Sequence, residues 1–343
     1  MNIINSVYNF SNSYEENEDT TPRLFATMNG VELTPTYTTN YARYTFTSTG
    51  KLFFTGILTD ISVIIVGGGG GGGTMPYSQG AWYAGNGGGG GGGVGYGTLQ
   101  IRSNNTLNIS VGVGGTSLNN VSNVILASNT GGNTTIYGRN ISENAYGGGA
   151  GQCGTQYASG LKHNENCGSG GGGSYTWQAR IMVGGTASRG IGNTLTYFGN
   201  SGGTASIQQG GGGGGGGASA PGKNNNVGVD GVSVNGFGGN GGNGISIMVD
   251  NTNYGMYGSG GGGGNSSNGY GTKGGLPGSS SGGGIGGGNS KPIGIDASNN
   301  SGCGGGGASG AKFAPQDLGG KGGSGICIIF VPISAIPPSL PPV

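Results

Sequence analysis

A run that reads as a buried strand, ISVIIV at residues 61–66, empties without a linker into seven consecutive glycines. A loop carrying Trp82 and Tyr83 follows, and then seven more glycines at 87–93. Such runs constrain the fold more than any other feature of the chain. Ordering a glycine in regular structure costs roughly 0.5–1 kcal/mol more than ordering an alanine. With 92 glycines among 343 residues, the penalty is on the order of tens of kcal/mol, several times the net stability of a domain. Either the runs stay disordered, or something specific offsets that cost.

Disorder is the default for such a composition, because few apolar side chains are available to offset chain entropy. Two observations oppose it. The chain has only 13 basic and 12 acidic side chains, whereas solvated linkers are commonly charged, and it carries 16 Tyr, 9 Phe and 2 Trp among well-patterned apolar runs. Collagen is excluded, since the strict G-X-Y repeat with abundant proline is absent. The physical candidate is a bundle of extended, threefold polyglycine segments with polyproline-II-like dihedrals. One such segment makes no internal hydrogen bonds. Neighbours without Cβ atoms can approach closely, exchange N–H···O bonds and add weak C–H···O contacts, so that buried backbone groups find partners.

Strand signals surround the glycine. RYTFTSTGKLFFTG predicts a hairpin of residues 44–48 and 52–55 about Thr49–Gly50. Further strands are expected at 61–66, 97–102, 107–113 and 134–137, the third (LNISVGV) alternating as a sheet with one buried face should. GISIMVD at 244–250 and GICIIFV at 325–331 follow matching preludes, GGNGGNG and GGKGGSG. No segment has a helical apolar period. Residues 1–40, Asn/Glu-rich with a short apolar piece at 24–28, read as a separate attachment segment. Residues 41–331 read as the glycine-rich domain, and 332–343 (ending PISAIPPSLPPV from Pro332) as a proline-rich tail.

The order YTFTSTGKLFFTGILTDISVIIVGGGGGGG, GGGGGGGVGYGTLQI, LNISVGVGG, scattered glycine blocks and finally GGKGGSGICIIFV resembles the glycine-rich domain of phage tail and giant-virus surface proteins. The likeness covers residues 41–331. It is similar also to the glycine-rich domain of the anaplastic lymphoma kinase receptor. The resemblance implies an all-β fold: a small antiparallel sandwich of the tumour-necrosis-factor, jelly-roll type with a polyglycine-II bundle inserted. The receptor branch is not expected, because no signal peptide, membrane span or kinase segment is recognisable.

Chemistry-bearing patterns are sparse. Net charge is +1 with basic residues scattered singly, so no stripe exists to neutralise phosphates. His163, the one histidine, stands near Cys167, but a polar loop histidine is the simpler reading than a Cys/His pair. No zinc spacing, P-loop or calcium repeat occurs, and the many GxGxxG matches arise from composition alone. No enzyme activity, cofactor or metal is expected. Cys153 and Cys167 bracket a loop and could pair if oxidised; free thiols are the alternative. Cys327, inside ICIIFV, reads as a small buried hydrophobe.

Specificity could reside in three aromatic loops: Tyr77, Trp82 and Tyr83; Tyr175 and Trp177; and Tyr254, Met256 and Tyr257. Such residues suit glycan stacking and subunit interfaces, or they plug the glycine bundle locally. The expectation is a non-enzymatic structural protein of a virus particle, a surface, fibre or minor capsid component. It would be made in the host cytosol and located in the virion. Its expected partners are other virion proteins and copies of itself, as a trimer or filament. The alternative is an adhesin that recognises a host glycan or protein receptor, and an ice-binding role is a distant third.

Overall fold

The computed structural model describes residues 24–74, 85–101, 105–117, 129–153, 166–176, 180–181, 183–205, 210–225, 237–265, 275–278, 282–288, 291–310 and 318–336. In chain order the strands are β1 (Leu24–Met28), β2 (Val31–Glu32), β3 (Thr36–Tyr37), β4 (Tyr41–Phe46), β5 (Gly50–Phe54), β6 (Leu58–Val66), β7 (Val94–Ile101), β8 (Asn105–Ser110), β9 (Thr134–Gly138), β10 (Ile141–Ala145), β11 (Tyr175–Thr176), β12 (Arg180–Ile181), β13 (Gly190–Ile191), β14 (Thr196–Phe198), β15 (Ile245–Val249), β16 (Thr252–Tyr257) and β17 (Ile326–Pro332). Among the described residues the one helical element is a 3-10 turn at Ile333–Ala335. The chain is all-β, as expected.

Two antiparallel sheets form a sandwich. One has seven strands in the order β13-β10-β9-β8-β5-β1-β2, and the other six, β14-β7-β6-β17-β4-β3. Leu52, Phe54, Leu107, Ile109 and Ile136 of the first meet Phe46, Ile61, Val63, Leu99 and Ile329 of the second in one core. The second sheet is buried on its other face as well. There Ile64, Val66, Ile328 and Phe330 pack against Ile247, Val249 and Tyr257 of the hairpin β15–β16. Burial on both faces explains why β6 and β17 are continuous apolar runs, whereas β5 alternates buried with more exposed residues. The β15–β16 hairpin turns on Asp250 and Asn251, both at positive φ, which a two-residue type I′ turn requires.

Two expectations are corrected. Residues 44–48 and 52–55 do not form a hairpin: β4 pairs with β17 and β3, while β5 pairs with β1 and β8. The Ser-Thr-Gly stretch instead crosses from one sheet to the other. Gly50 is needed there, since a Cβ would lie 2.5 Å from the Thr27 carbonyl oxygen and 2.6 Å from the Phe46 ring. Nor do residues 24–40 stand apart from the domain. β1 pairs along its length with β5, Leu24 opposite Phe54 through Met28 opposite Gly50, and buries Leu24 and Ala26 in the core. The apolar alternation of LFATM outweighs its polar surroundings. Residues 1–23 and 337–343 lie outside the described residues.

Between the strands the glycine runs form an ordered array with a period of three. Gly67, Gly70 and Gly73 donate to Gly93, Gly90 and Gly87; Gly68 and Gly71 donate to Gly132 and Asn129; Gly69 and Gly72 donate to Gly323 and Gly320. Run 67–74 thus addresses three neighbours in rotation with its N–H groups, and a three-residue turn is the period of a polyproline-II-type helix. Run 85–93 lies at the centre. Its N–H groups donate to the runs around Gly149, Gly213 and Gly305, and its carbonyls accept from those around Gly70, Gly172 and Gly261, giving six neighbours. No side chain fits between them: a Cβ on Gly89 would lie 2.1 Å from the Gly70 oxygen. The cost of ordering so much glycine is offset by close backbone pairing that any larger residue would prevent.

Candidate functional site: the two ends of the glycine array

The array has a direction. Val66 ends β6 and leads into run 67–74, while run 85–93 returns into β7 at Val94. The rung Gly67–Gly93 is therefore next to the sandwich and the rung Gly73–Gly87 is remote from it. Following the bonds outward along other runs reaches Cys153, Ser174, Asn225, Asn265 and Ser309 at the remote end. Each is buried, as are Thr74 and Asn86. Here the runs stop being glycine and small polar groups take over. The Asn86 amide donates to the Ala308 carbonyl at 3.0 Å, and the Thr74 N–H points to the Cys153 sulfur at 3.3 Å. The segments 75–84, 177–179, 206–209, 226–236, 266–274 and 311–317 all leave the described chain at this end.

The opposite end holds the exits of the domain. Leu24 pairs with Phe54 and, through it, Asn105, on the side of the sandwich away from the array. Pro332 pairs with Tyr41, and the Ile333 N–H donates to the Asn40 carbonyl, on that same side.

The three aromatic loops are thereby divided. Tyr77, Trp82, Tyr83 and Trp177 lie outside the described residues, in segments that leave from the remote end; Tyr175 opens the short strand β11 there. His163 also lies outside the described residues. Tyr254, Met256 and Tyr257 belong instead to β16, against the sandwich. The Tyr254 ring meets Phe330 edge-on at 4.6 Å, and the Arg43 guanidinium sits 5.6 Å from its centroid. The Tyr257 hydroxyl donates to the Tyr254 carbonyl at 2.6 Å. These two tyrosines close the outer face of the six-stranded sheet, and Met256 is the exposed member of the three.

Cys153 and Cys167 are both buried, and no disulfide joins them in this structure. The Cys167 thiol donates to the Thr186 carbonyl at 3.2 Å, and burial pushes it up to about 11. Cys303 and Cys327 are likewise buried thiols. Among the described residues no group of His, Cys, Asp or Glu converges to hold a metal ion.

One constellation escaped the sequence. Glu143, on β10, is buried and accepts the backbone N–H groups of Asn193 (3.1 Å), Thr194 (3.0 Å) and Leu195 (3.4 Å), together with the Tyr197 hydroxyl (2.7 Å). These four donors take the place of a countercharge. The Tyr197 hydroxyl in turn accepts the Asn144 N–H at 3.0 Å, and burial, then the Glu143 carboxylate, push its ionisation well up. β13 and β14, which flank the backbone donors, add one strand to each sheet, so this knot latches the sandwich edge shut. A lone Glu in the polar string ISENA gave no sign of it.

Fold and array together define an all-β protein in which a sandwich carries a hydrogen-bonded glycine array. The model of the family described as a glycine-rich domain matches residues 47–331, and the chain belongs to that family. No curated protein matches the chain.

Proposed function

We propose that this is a non-enzymatic structural protein of a virus particle, a surface or fibre component that holds its glycine array away from the body it is attached to. The observation that carries the reading is the two-ended build: the chain enters and leaves at the outer end of the sandwich, and several loop segments leave from the opposite end of the array. Attachment through residues 1–23 and 337–343 to neighbouring subunits, by edge pairing of the kind extended segments commonly make, leaves the array end outward. An array whose every run is bonded to its neighbours suits a rigid spacer better than a catalyst. Mass spectrometry of purified particles, with cryo-electron microscopy of their surface, tests this. Copies bound at the sandwich end are expected. Absence of the protein from intact particles would end the proposal.

A second reading, an adhesin, draws on the departure of the segments holding Trp82 and Trp177 from one end. Under it, Trp82→Ala with Trp177→Ala abolishes attachment to host cells while assembly is unchanged.

A further inference from the structure

One flank of the array carries large apolar side chains and is unlike a solvated surface. Runs 275–278, 282–288 and 291–298 lie side by side there: the Gly286 N–H donates to the Gly275 carbonyl at 2.9 Å, and the Ile295 N–H donates to the Ile285 carbonyl at 2.9 Å. Because run 282–288 is antiparallel to the other two, Leu276, Ile285 and the Ile293–Ile295 pair come to about the same level. They are 46%, 39%, 53% and 48% exposed, respectively. Gly294 explains why both isoleucines face outward. Its own Cα faces inward, where a Cβ would lie 2.0 Å from the Gly306 oxygen. The result is an apolar belt that crosses the runs.

The charges flanking the belt identify its occupant. Lys291 stands on one side and Asp296 on the other, both exposed; the Asp296 carboxylate also accepts the Lys321 N–H at 2.7 Å. Read backwards, KPIGID keeps its apolar centre and exchanges its charges. A two-fold axis laid along the belt reverses each run onto its own copy. Ile293 then meets Ile295, Ile285 and Leu276 meet themselves, and Lys291 comes beside Asp296 of the second molecule. We propose that this flank is an isologous interface at which two copies of the chain pair face to face. A partner of uniform charge would be repelled by one side of the belt, whereas a second copy matches both. The inference does not depend on the particle reading, and a soluble preparation is enough to test it.

Sedimentation equilibrium of the full chain is the experiment. The wild type is expected to be a dimer that loosens as salt rises. Ile293→Ser with Ile295→Ser removes four apolar side chains from the paired face and should raise the dissociation constant at least about a hundredfold. Lys291→Glu sets Glu against Asp across the axis. It should weaken pairing and reverse the salt dependence, because screening then relieves repulsion. This second variant changes an exposed side chain, so it decides the matter even if the double serine variant fails to fold. A wild type that is monomeric at every concentration overturns the proposal. So does a trimer, or a dimer indifferent to both changes.

Discussion

Replacing Gly89 by alanine tests the account of the array at its centre. The added Cβ would sit 2.1 Å from the Gly70 oxygen and 2.7 Å from its carbonyl carbon. A real Cβ hardly ever approaches another atom within 3.0 Å, so run 67–74 must retreat by about 1 Å. The rungs from Gly67, Gly70 and Gly73 to run 85–93 span 2.8–3.0 Å, and a shift of that size carries them beyond hydrogen-bonding distance. Each buried pair left unmade costs about 1–3 kcal/mol, so three cost on the order of 3–9 kcal/mol. Stiffening the unfolded chain returns only about 0.4–1 kcal/mol. The loss rivals the whole net stability of a typical domain, about 5–15 kcal/mol. Gly185 supplies the control, since the nearest atoms to a Cβ there are 3.2, 3.4 and 3.5 Å away; Gly185→Ala should stay within about 1 kcal/mol of wild type. Guanidinium unfolding gives the magnitudes, and amide exchange over residues 67–93 shows where the damage lies. If Gly89→Ala costs no more than Gly185→Ala, close backbone approach is not what orders the glycine.

Two further outcomes follow from the sandwich. Glu143→Gln leaves one acceptor for four donors and turns an amide N–H toward them; a loss of about 2–4 kcal/mol is expected, with faster amide exchange confined to residues 193–195. Stability should also fall in alkali. Burial raises Tyr44 from 10.0 to about 12 and Cys167 from 9.0 to about 11, and Tyr197 rises as well. In each case the unfolded chain loses its proton first. The stabilising contribution is therefore complete below the unfolded value and disappears as pH climbs through the folded one. Calorimetry should find a level melting temperature up to about pH 9, declining through pH 12; a melting temperature that rises over that interval would contradict the sign.

The sequence announced its doubly buried strands and its array, and it concealed the crossings between sheets. ISVIIV and ICIIFV lack polar alternation because both faces of β6 and β17 are covered, and this is readable from the letters alone. The shared preludes GGNGGNG and GGKGGSG likewise introduce β15 and β17, which meet in one apolar layer. TFTSTGKLFF could not be resolved in the same way. A polar stretch between two alternating strands has the same composition whether they pair or part into separate sheets, and the distant β8 and β17 decide which. LFATM, five residues in a polar neighbourhood, became a strand because β5 offered it an edge. The knot at Glu143 is invisible for a related reason. Three of its four donors are backbone N–H groups some fifty positions further on, and backbone groups leave no mark in a sequence.

The last strand has a place that bears on how the protein must be made. β17 lies between β6 and β4 in the middle of its sheet, and the run before it supplies the acceptors at Gly320 and Gly323 for Gly72 and Gly69. The earliest glycine run therefore waits for the latest. Contacts of such sequence separation close slowly, since loop entropy is lost before they form. A nascent chain would emerge from the ribosome with run after run lacking its final neighbour, and neither the sheet nor the array could be completed until residues 318–332 had been synthesised. Folding of this domain consequently waits for residues 318–332, and removing β17 would cost the molecule its centre rather than its edge.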